Sequence, residues 1–395
     1  MEPKIIAYPF GDKTYTSALY YGQDNRVTLS ELPEKSVQCV VTSPPYWGLR
    51  DYGTAKWEGG DPNCNHEPPE GAQWTEWYDN NRQQAAAKMA WYKKDGSCRC
   101  GAVRVDSQIG LEMTPDEYVA SMVEVFRGVW RVLRDDGTLW LNLGDSYAGG
   151  GRNAGNPLEN TSKLQRGNIH SMVSGPRPVP LGLKAKDLVG IPWKVAFALQ
   201  ADGWYLRSDI IWAKGSCMPE NIYDRPTKSH EYLFLLAKSR EYYYDQDAIR
   251  EPYGSAQEHQ KRKVLYASHG DGETSRGRGD GHNVLGDLDS GRNKRSVWHI
   301  NPKPYSGAHF ATYPPKLIEP CVLAGTKPGD TVLDPFSGSG TTGYVANRLR
   351  RNYVGTDLNP DYLPLAEKRI LGLDPEVEDD KDDTETVDVL GMFKE

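Results

Sequence analysis

The chain has 395 residues and a formal net charge of −7, with 38% hydrophobic and 26% charged residues. Its mean hydropathy of −0.67, and the lack of any apolar run near the ~18 residues of a membrane span, exclude a helical membrane protein; residues 1–8 lack a signal peptide's apolar centre, so a cytoplasmic protein is expected. Residues 374–395 hold ten Asp/Glu against two Lys/Arg, so the rest is near neutral and can carry a basic nucleic-acid cleft, while the tail reads as a solvated, disordered end.

The length suits one α/β domain with large insertions. Leu19–Gly22 reads as a short strand, followed by Asp24-Asn25 and a helical stretch from Val27 to Leu32. The apolar run Val37–Val41 predicts a strand that ends in Thr42-Ser43-Pro44-Pro45-Tyr46-Trp47. Proline has no N–H and biases its predecessor away from helix, so the chain must leave the sheet there. What it presents on leaving is a hydroxyl, a restrained carbonyl and two aromatic faces. That set suits a flat, amine-bearing base taken out of its duplex, with acceptors for the amine protons and a ring to stack on. A Pro-Pro turn with aromatic core packing is the plainer reading of this stretch alone. Gly48–Gly53 continues as a polar loop in which Arg50 is read as pairing with Asp51, a phosphate contact being the alternative.

Residues 54–110 read as an insertion rich in Trp, Gly and Asn, its aromatics Trp57, Trp74, Trp77 and Trp91 packing a small lobe. Cys64-Asn65-His66 and Cys98-Arg99-Cys100 are two ligand pairs about thirty residues apart. Brought together they would form a closed, structural Cys₃His zinc site; the spacings are tighter than in zinc ribbons, and incidental thiols in a loop are the alternative. Cys39 and Cys321 read as buried packing and Cys217 as exposed, with no disulfide framework expected.

A helix follows, with Thr114 as N-cap, Pro115 at the first position and Glu117 closing a capping box. Its stripe Tyr118, Met122, Val125, Phe126, Val129, Trp130 and Leu133 is core packing. Asp135-Asp136-Gly137 turns the chain into the apolar strand Thr138–Leu143, with Asp145 at the end where parallel sheets bind ligands. Residues 148–186 read as a long loop. A helix over Ile191–Ala201 and strands over Tyr205–Trp212 and His230–Leu236 come next. The apolar period then fades, and Lys261-Arg262-Lys263, Arg276-Gly277-Arg278 and Arg292-Asn293-Lys294-Arg295 are basic clusters before a helix over Pro315–Ala324.

The strand Thr331–Leu333 runs into Asp334-Pro335-Phe336-Ser337-Gly338-Ser339-Gly340-Thr341-Thr342-Gly343 and a helical pattern over Tyr344–Arg350. Backbone N–H groups and a helix N-terminus can approach a ligand closely there. Thr341 stands where a phosphate-binding P-loop needs Lys, which removes the nucleoside triphosphate reading. The next strand, Tyr353–Asp357, ends in an acid about 20 residues past the first turn, the spacing for holding ribose hydroxyls.

Together, Thr42–Trp47 and Asp334–Gly343, in that order, resemble the signature pair of the β group of S-adenosylmethionine-dependent DNA amino-methyltransferases, and motif-like segments run from about Tyr20 to Leu371. The resemblance implies a doubly wound, Rossmann-like α/β sheet, into which the possible zinc lobe and a target-recognition region, read from their own residues, would be inserted. Its parts would be 1–53 with 111–245 as the catalytic half, 54–110 as the lobe, 246–304 for target recognition and 305–373 as the cofactor half. It also implies roles. Ser43, Pro44, Pro45 and Tyr46 would hold the base amine, and the turn from Asp334 through Pro335, Phe336, Ser337, Gly338, Ser339, Gly340, Thr341 and Thr342 the methionine end of the donor. Asp357 would hold the ribose. Asp24, in a Gly22-Gln23-Asp24 stretch one residue longer than the family's Gly-Asp pair, would lie near the adenine, and Thr312, within His309–Pro314, beside the cofactor.

His230-Glu231 falls where related enzymes have a motif near the flipped base, although a lone His beside a strand is more often structural. The basic clusters would contact duplex DNA. Ser-Pro-Pro-Tyr resembles the cytosine-N4 enzymes, with adenine N6 as the alternative, because those enzymes usually carry Asp or Asn in the first position. For a partner, the two alternatives are a cognate restriction endonuclease or none, as in an orphan or phage-type enzyme. An RNA amino-methyltransferase and a non-enzymatic zinc-containing DNA-binding protein are the competing classes.

Overall fold

The computed structural model describes residues 2–48, 52, 54–66, 98–148, 179, 182–217, 220, 222–252, 291–302 and 312–373. The basic clusters at 261–263 and 276–278, Arg50-Asp51, Trp74, Trp77, Trp91, His309–Ala311, most of the 148–186 loop and the acidic tail lie outside them.

A nine-stranded sheet runs in the order β1-β2-β11-β10-β3-β6-β8-β7-β9, built from β1 Lys4–Phe10, β2 Lys13–Tyr21, β3 Val37–Thr42, β6 Leu133–Leu143, β7 Tyr205–Ala213, β8 His230–Ala237, β9 Val297–His299, β10 Thr331–Asp334 and β11 Asn352–Asp357. The five strands from β2 to β6 are mutually parallel. All six residues of the central β3 are buried, as a strand covered on both faces requires. Helices α1 Asn25–Glu31, α2 Pro115–Val132 and α3 Ile191–Ala201 pack through Leu29, Phe126 and Val195 into one apolar layer. The helices α4 Pro315–Gly325, α5 Thr341–Arg348 and α6 Leu363–Ile370 pack through Leu317, Val345 and Ile370 into the other. The expected doubly wound sheet is therefore present, but it is mixed: β8 runs antiparallel to β6 and β7, and β1 antiparallel to β2.

The β10–β3 pairing brings the two sequence motifs together. Val332 is in register with Cys39 and Leu333 with Val40, so two strands far apart in sequence end side by side, and Ser43 and Pro335 leave the same edge of the sheet. Two local expectations change. Asp135-Asp136-Gly137 is not a turn before a strand. It lies within β6, which leaves α2 without a loop and shifts register between Val37/Leu133 and Cys39/Thr138, the mark of a bulge. The strand read over Leu19–Gly22 is the end of the longer β2.

Helix α2 begins as its sequence dictates. Thr114 Oγ1 accepts the Glu117 N–H at 3.2 Å and Glu117 Oε2 accepts the Thr114 N–H at 3.1 Å. Two donors at the helix start are thus satisfied reciprocally. The Thr114→Ala variant should unfold in urea with a stability lower by about 1 kcal/mol and an unchanged slope, because the cap is lost while the buried stripe remains.

Candidate active site

Both motifs open onto one cavity of about 910 Å³, lined on one side by Ser43, Pro44, Pro45 and Tyr46 and on the other by Pro335, Phe336, Ser337, Gly338, Ser339 and Thr341. Asp24, Thr312 and Asp357 line it as well, whereas Asp334, Gly340 and Thr342 stand behind its wall.

On the first side, the turn after β3 is held from behind. Tyr118 donates its hydroxyl to the Pro45 carbonyl at 2.9 Å, and the Trp47 indole N–H donates to the Glu112 carbonyl at 3.0 Å. In front, Asn142 from β6 organises the polar groups. Its Nδ2 faces two acceptors, the Tyr232 carbonyl at 3.1 Å and Glu231 Oε2 at 3.4 Å. This orientation leaves Oδ1 to accept from Ser43 Oγ at 3.2 Å and, as the longer arm of a three-centre bond, from the Tyr46 hydroxyl at 3.0 Å. A Ser43 proton committed to Asn142 leaves the serine lone pairs facing the cavity, so Ser43 is an acceptor. Tyr46 donates to Glu231 Oε2 at 2.7 Å, and Lys214 forms an ion pair with the other carboxylate oxygen. Burial, and then the Glu231 charge, raise the Tyr46 pKa well above the usual phenol range, so the hydroxyl stays protonated. Against the Tyr46 ring sits Gly144, where a Cβ would lie 2.4 Å from Cε2.

Sequence reasoning named neither Asn142 nor Lys214; a lone polar residue within an apolar strand was the available signal for Asn142. Of the His230-Glu231 pair, the glutamate reaches the site. Adjacent strand residues point to opposite faces, and His230 packs edge-on against Tyr232, its pKa lowered first by burial. Asp145 is likewise not a ligand group: its carboxylate accepts the N–H groups of Gly190 and Ile191, both at 3.0 Å, and so caps α3.

On the second side, the Asp334 carboxylate is buried and accepts four bonds: Thr42 Oγ1 at 2.6 Å, Thr342 Oγ1 at 2.7 Å, Tyr313 OH at 2.9 Å and the Phe336 N–H at 3.0 Å. Burial raises its pKa, and these donors counteract the shift. Gly338 and Gly340 adopt left-handed φ angles of 50° and 81°, and a Cβ on Gly340 would meet the Ala366 Cα at 3.0 Å. The Tyr21 hydroxyl donates to the Gly338 carbonyl at 2.9 Å and shares a 2.7 Å bond with Ser337 Oγ, which bonds in turn to Tyr353 OH. Asp357 accepts the Gly338 and Asn359 N–H groups at 2.8 and 2.9 Å. Asp24 caps α1 and pairs with Arg26 at 2.6 Å; burial raises its pKa, but the Arg26 bonds outweigh that and hold it low.

Comparison with known proteins decides the family. A family model described as DNA methylase, the N6/N4 type, matches residues 37–368. The chain belongs to the DNA amino-methyltransferase family. It is 41% identical over 362 residues to Type II methyltransferase M.Cfr9I of Citrobacter freundii, spanning 91% of this chain and 90% of that one. It is 42% identical over 356 residues to Type II methyltransferase M.XycI of Xanthomonas campestris pv. cyanopsidis, spanning 90% and 88%. Among solved structures, the PvuII DNA methyltransferase (cytosine-N4-specific) shares the fold, with a TM-score of 0.50 and 18% identity over 93% of this chain and 90% of that one.

In this methyltransferase, the strands β4 Lys56–Glu58 and β5 Val103–Val105 pair as a separate two-stranded sheet beside the ligand pairs read from sequence. Cys64, His66, Cys98 and Cys100 offer ligand atoms that all lie within 4.8 Å of one another, with Cys64 Sγ to Cys98 Sγ at 3.7 Å and Cys100 Sγ to His66 Nδ1 at 3.5 Å. The basic cluster at 292–295 is partly consumed by the fold. Arg292, Lys294 and Arg295 all surround Glu251, and Arg295, 68% exposed, is the most open to solvent of the three.

Pro320-Cys321 is the single Pro-Cys pair of the chain, the dipeptide that methylation at a ring carbon would use as nucleophile. It lies inside α4, with Cys321 fully buried and its thiol donating to the Leu317 carbonyl, and it does not line the cavity.

Burial pushes the Asp357 carboxyl up from 3.8 to about 6, against the pull of the two N–H donors. A raised carboxyl pKa means that the fold favours the neutral acid: its contribution to stability is present below about pH 4 and lost as pH rises through about 6. Donor binding should follow the opposite course, because the carboxylate is the better acceptor. Calorimetric affinity for S-adenosylmethionine should rise between pH 5 and 7 and level off above, and Asp357→Asn should lose this step. Replacing Asp334 by Ala would leave its donors unpaired and should cost about 3 kcal/mol or more in urea unfolding.

Proposed function

We propose that the protein methylates the exocyclic N4 amine of cytosine at a specific site in duplex DNA, with S-adenosylmethionine as donor, by base flipping and direct transfer. One observation carries this reading: the acceptor turn Ser43–Tyr46 and the glycine turn Pro335–Ser339 face each other across a single cavity. The cavity has room for a nucleoside and a flipped base, and Asp357, Gly338 and Asp24 offer the polar groups that a ribose and a purine require. The donor supplies an electrophilic methyl group on a sulfonium.

The chain's own residues do the positioning. Ser43 Oγ, its proton held by Asn142, and the Pro44 carbonyl accept the two amine hydrogens and so aim the nitrogen lone pair across the cavity. Tyr46 stacks on the base, its hydroxyl fixed by Glu231 and Asn142. As the N–C bond forms, the C–S bond breaks with its electron pair left on the sulfur of the now neutral thioether, and the methylated amine gives up its extra proton to water, with no covalent enzyme intermediate. Alignment of this kind accounts for ~7 kcal/mol or more of a barrier. The choice of cytosine over adenine rests on Ser43 in the first position of the Ser-Pro-Pro-Tyr stretch. The relatives' designation as Type II methyltransferases supports a role in restriction and modification.

We propose in addition that Cys64, His66, Cys98 and Cys100 hold a structural zinc ion. Tetrahedral zinc with Zn–S near 2.3 Å sets its sulfurs about 3.8 Å apart, close to the 3.7 Å found here.

Nucleoside analysis of duplex DNA after incubation with methyl-labelled S-adenosylmethionine should yield N4-methylcytosine; N6-methyladenine alone would reject the cytosine assignment. Ser43→Ala should lower kcat about 10²-fold while donor affinity stays unchanged. Tyr46→Phe keeps the ring and loses its anchors, and about a tenfold loss in kcat is expected.

A further inference from the structure

The two ligand pairs sit at the outer end of a stem whose inner end reaches the base side of the cavity. Strands β4 and β5 are three residues each, too short to persist unaided. Val103 and Val105 are 54% and 41% exposed, so apolar burial does little to hold this stem. The outer end is closely fitted. Gly60, at φ +75°, lets Cys100 approach, because a Cβ there would lie 2.7 Å from its Sγ and 2.5 Å from the Ala102 nitrogen. Cys98 and Cys100 lie in a tight turn, with Gly101 N–H donating to the Cys98 carbonyl at 2.9 Å and Ala102 N–H to Cys100 Sγ at 3.5 Å. His66 holds a left-handed φ of 56°, a conformation that an L-residue keeps only when its surroundings impose it.

The inner end continues directly into the site. Thr54 Oγ1 donates to Asp106 Oδ1 at 3.0 Å across the stem, and the same carboxylate oxygen accepts the Gln108 N–H at 3.0 Å. Tyr52, Thr54, Ser107, Gln108 and Ile109 then line the cavity. At the next residue, the Gly110 carbonyl accepts the Gly48 N–H at 2.7 Å, and a Cβ on Gly110 would sit 3.2 Å from the Tyr46 carbonyl. The stem is therefore rooted on the catalytic turn itself. The donor side, by contrast, is braced by Tyr21, Tyr353 and Arg369.

We propose that the metal cluster is the clamp for the base-side wall of the cavity: with zinc bound, Tyr52, Thr54 and residues 106–110 form a surface against which DNA and the flipped nucleotide seat, and without it that wall is lost while donor binding persists. The inference rests on the zinc reading above and assigns that site its role.

The test uses the full chain. Elemental analysis should find one zinc per chain. Zinc is then displaced with an organomercurial and followed by a chromogenic chelator, and the mercurial is removed with thiol. S-adenosylmethionine affinity should change less than threefold, while the KM for duplex DNA rises or transfer falls at least tenfold, with recovery on adding zinc but not magnesium. Asp106→Ala cuts the link between cluster and wall, and it should keep its zinc yet raise the KM for DNA severalfold with little change in donor affinity. No zinc in the purified chain would remove both the metal site and its role. Zinc present, but full transfer after its removal, would overturn the clamp and leave the site. A parallel loss of donor affinity would mean that the metal supports the whole fold, which also overturns the local role.

Discussion

A single buried carboxylate holds together the two turns that face each other across the cavity. Asp334 ends β10, and its four donors come from the end of β3, the glycine turn, the start of α5 and the segment before α4. A lone charged group in this position would be costly, but four donors replace the lost water, and each shortens the reach between elements distant in sequence. Because Thr42 immediately precedes Ser43, the bond to Asp334 ties the Ser43–Tyr46 turn to the glycine turn within one residue. In that sense Asp334 works behind the cavity, as the anchor of its geometry.

The two halves of the site solve different physical problems. On the base side, polar groups must be oriented before substrate arrives, and the Asn142 amide does this through the choice of which end meets Glu231 and which meets Ser43 and Tyr46. Lys214 balances the Glu231 charge. On the donor side, the backbone itself must approach a ligand. The left-handed glycines at 338 and 340 allow this, and the hydroxyls of Tyr21, Ser337 and Tyr353 stiffen a turn with no regular secondary structure. Both follow the rule that preorganisation, rather than reactive side chains, performs group transfer to an amine.

The large departures from a plain α/β domain leave the sheet near its carboxyl edge, where ligands bind. The segment that carries the β4–β5 pair departs just after the Ser43–Tyr46 turn and returns beside it at Gly110. The loop after β6 is pinned at its base, where Tyr147 bridges Leu188 and Ala148 exchanges bonds with Lys186 and Asp187. The clasp of Arg292, Lys294 and Arg295 about Glu251 shows why a basic cluster in sequence is a poor count of free positive charge: a single acid on a paired segment gathers three cations.

Much of the fold is local and was readable from the chain. Caps, prolines and apolar periods mark where α2, α3 and α4 begin, and the Pro-Pro exit and glycine turn mark two strand ends, because these signals act over a few residues. Bonds between distant segments leave no such mark. The reversal of β8, the bulge in β6, the hub at Asp334 and the roles of Asn142, Lys214 and Asp145 arise only when strands are placed side by side. Likewise, His230 and Glu231 are equal candidates in sequence, and strand pleating sends only the glutamate to Tyr46. The sequence by itself determined the family and its two marks, a Ser-Pro-Pro-Tyr turn and a glycine turn in a set order. Only the pairing of β3 with β10 decided that they share one cavity, since register between distant strands is a property of the whole buried sheet.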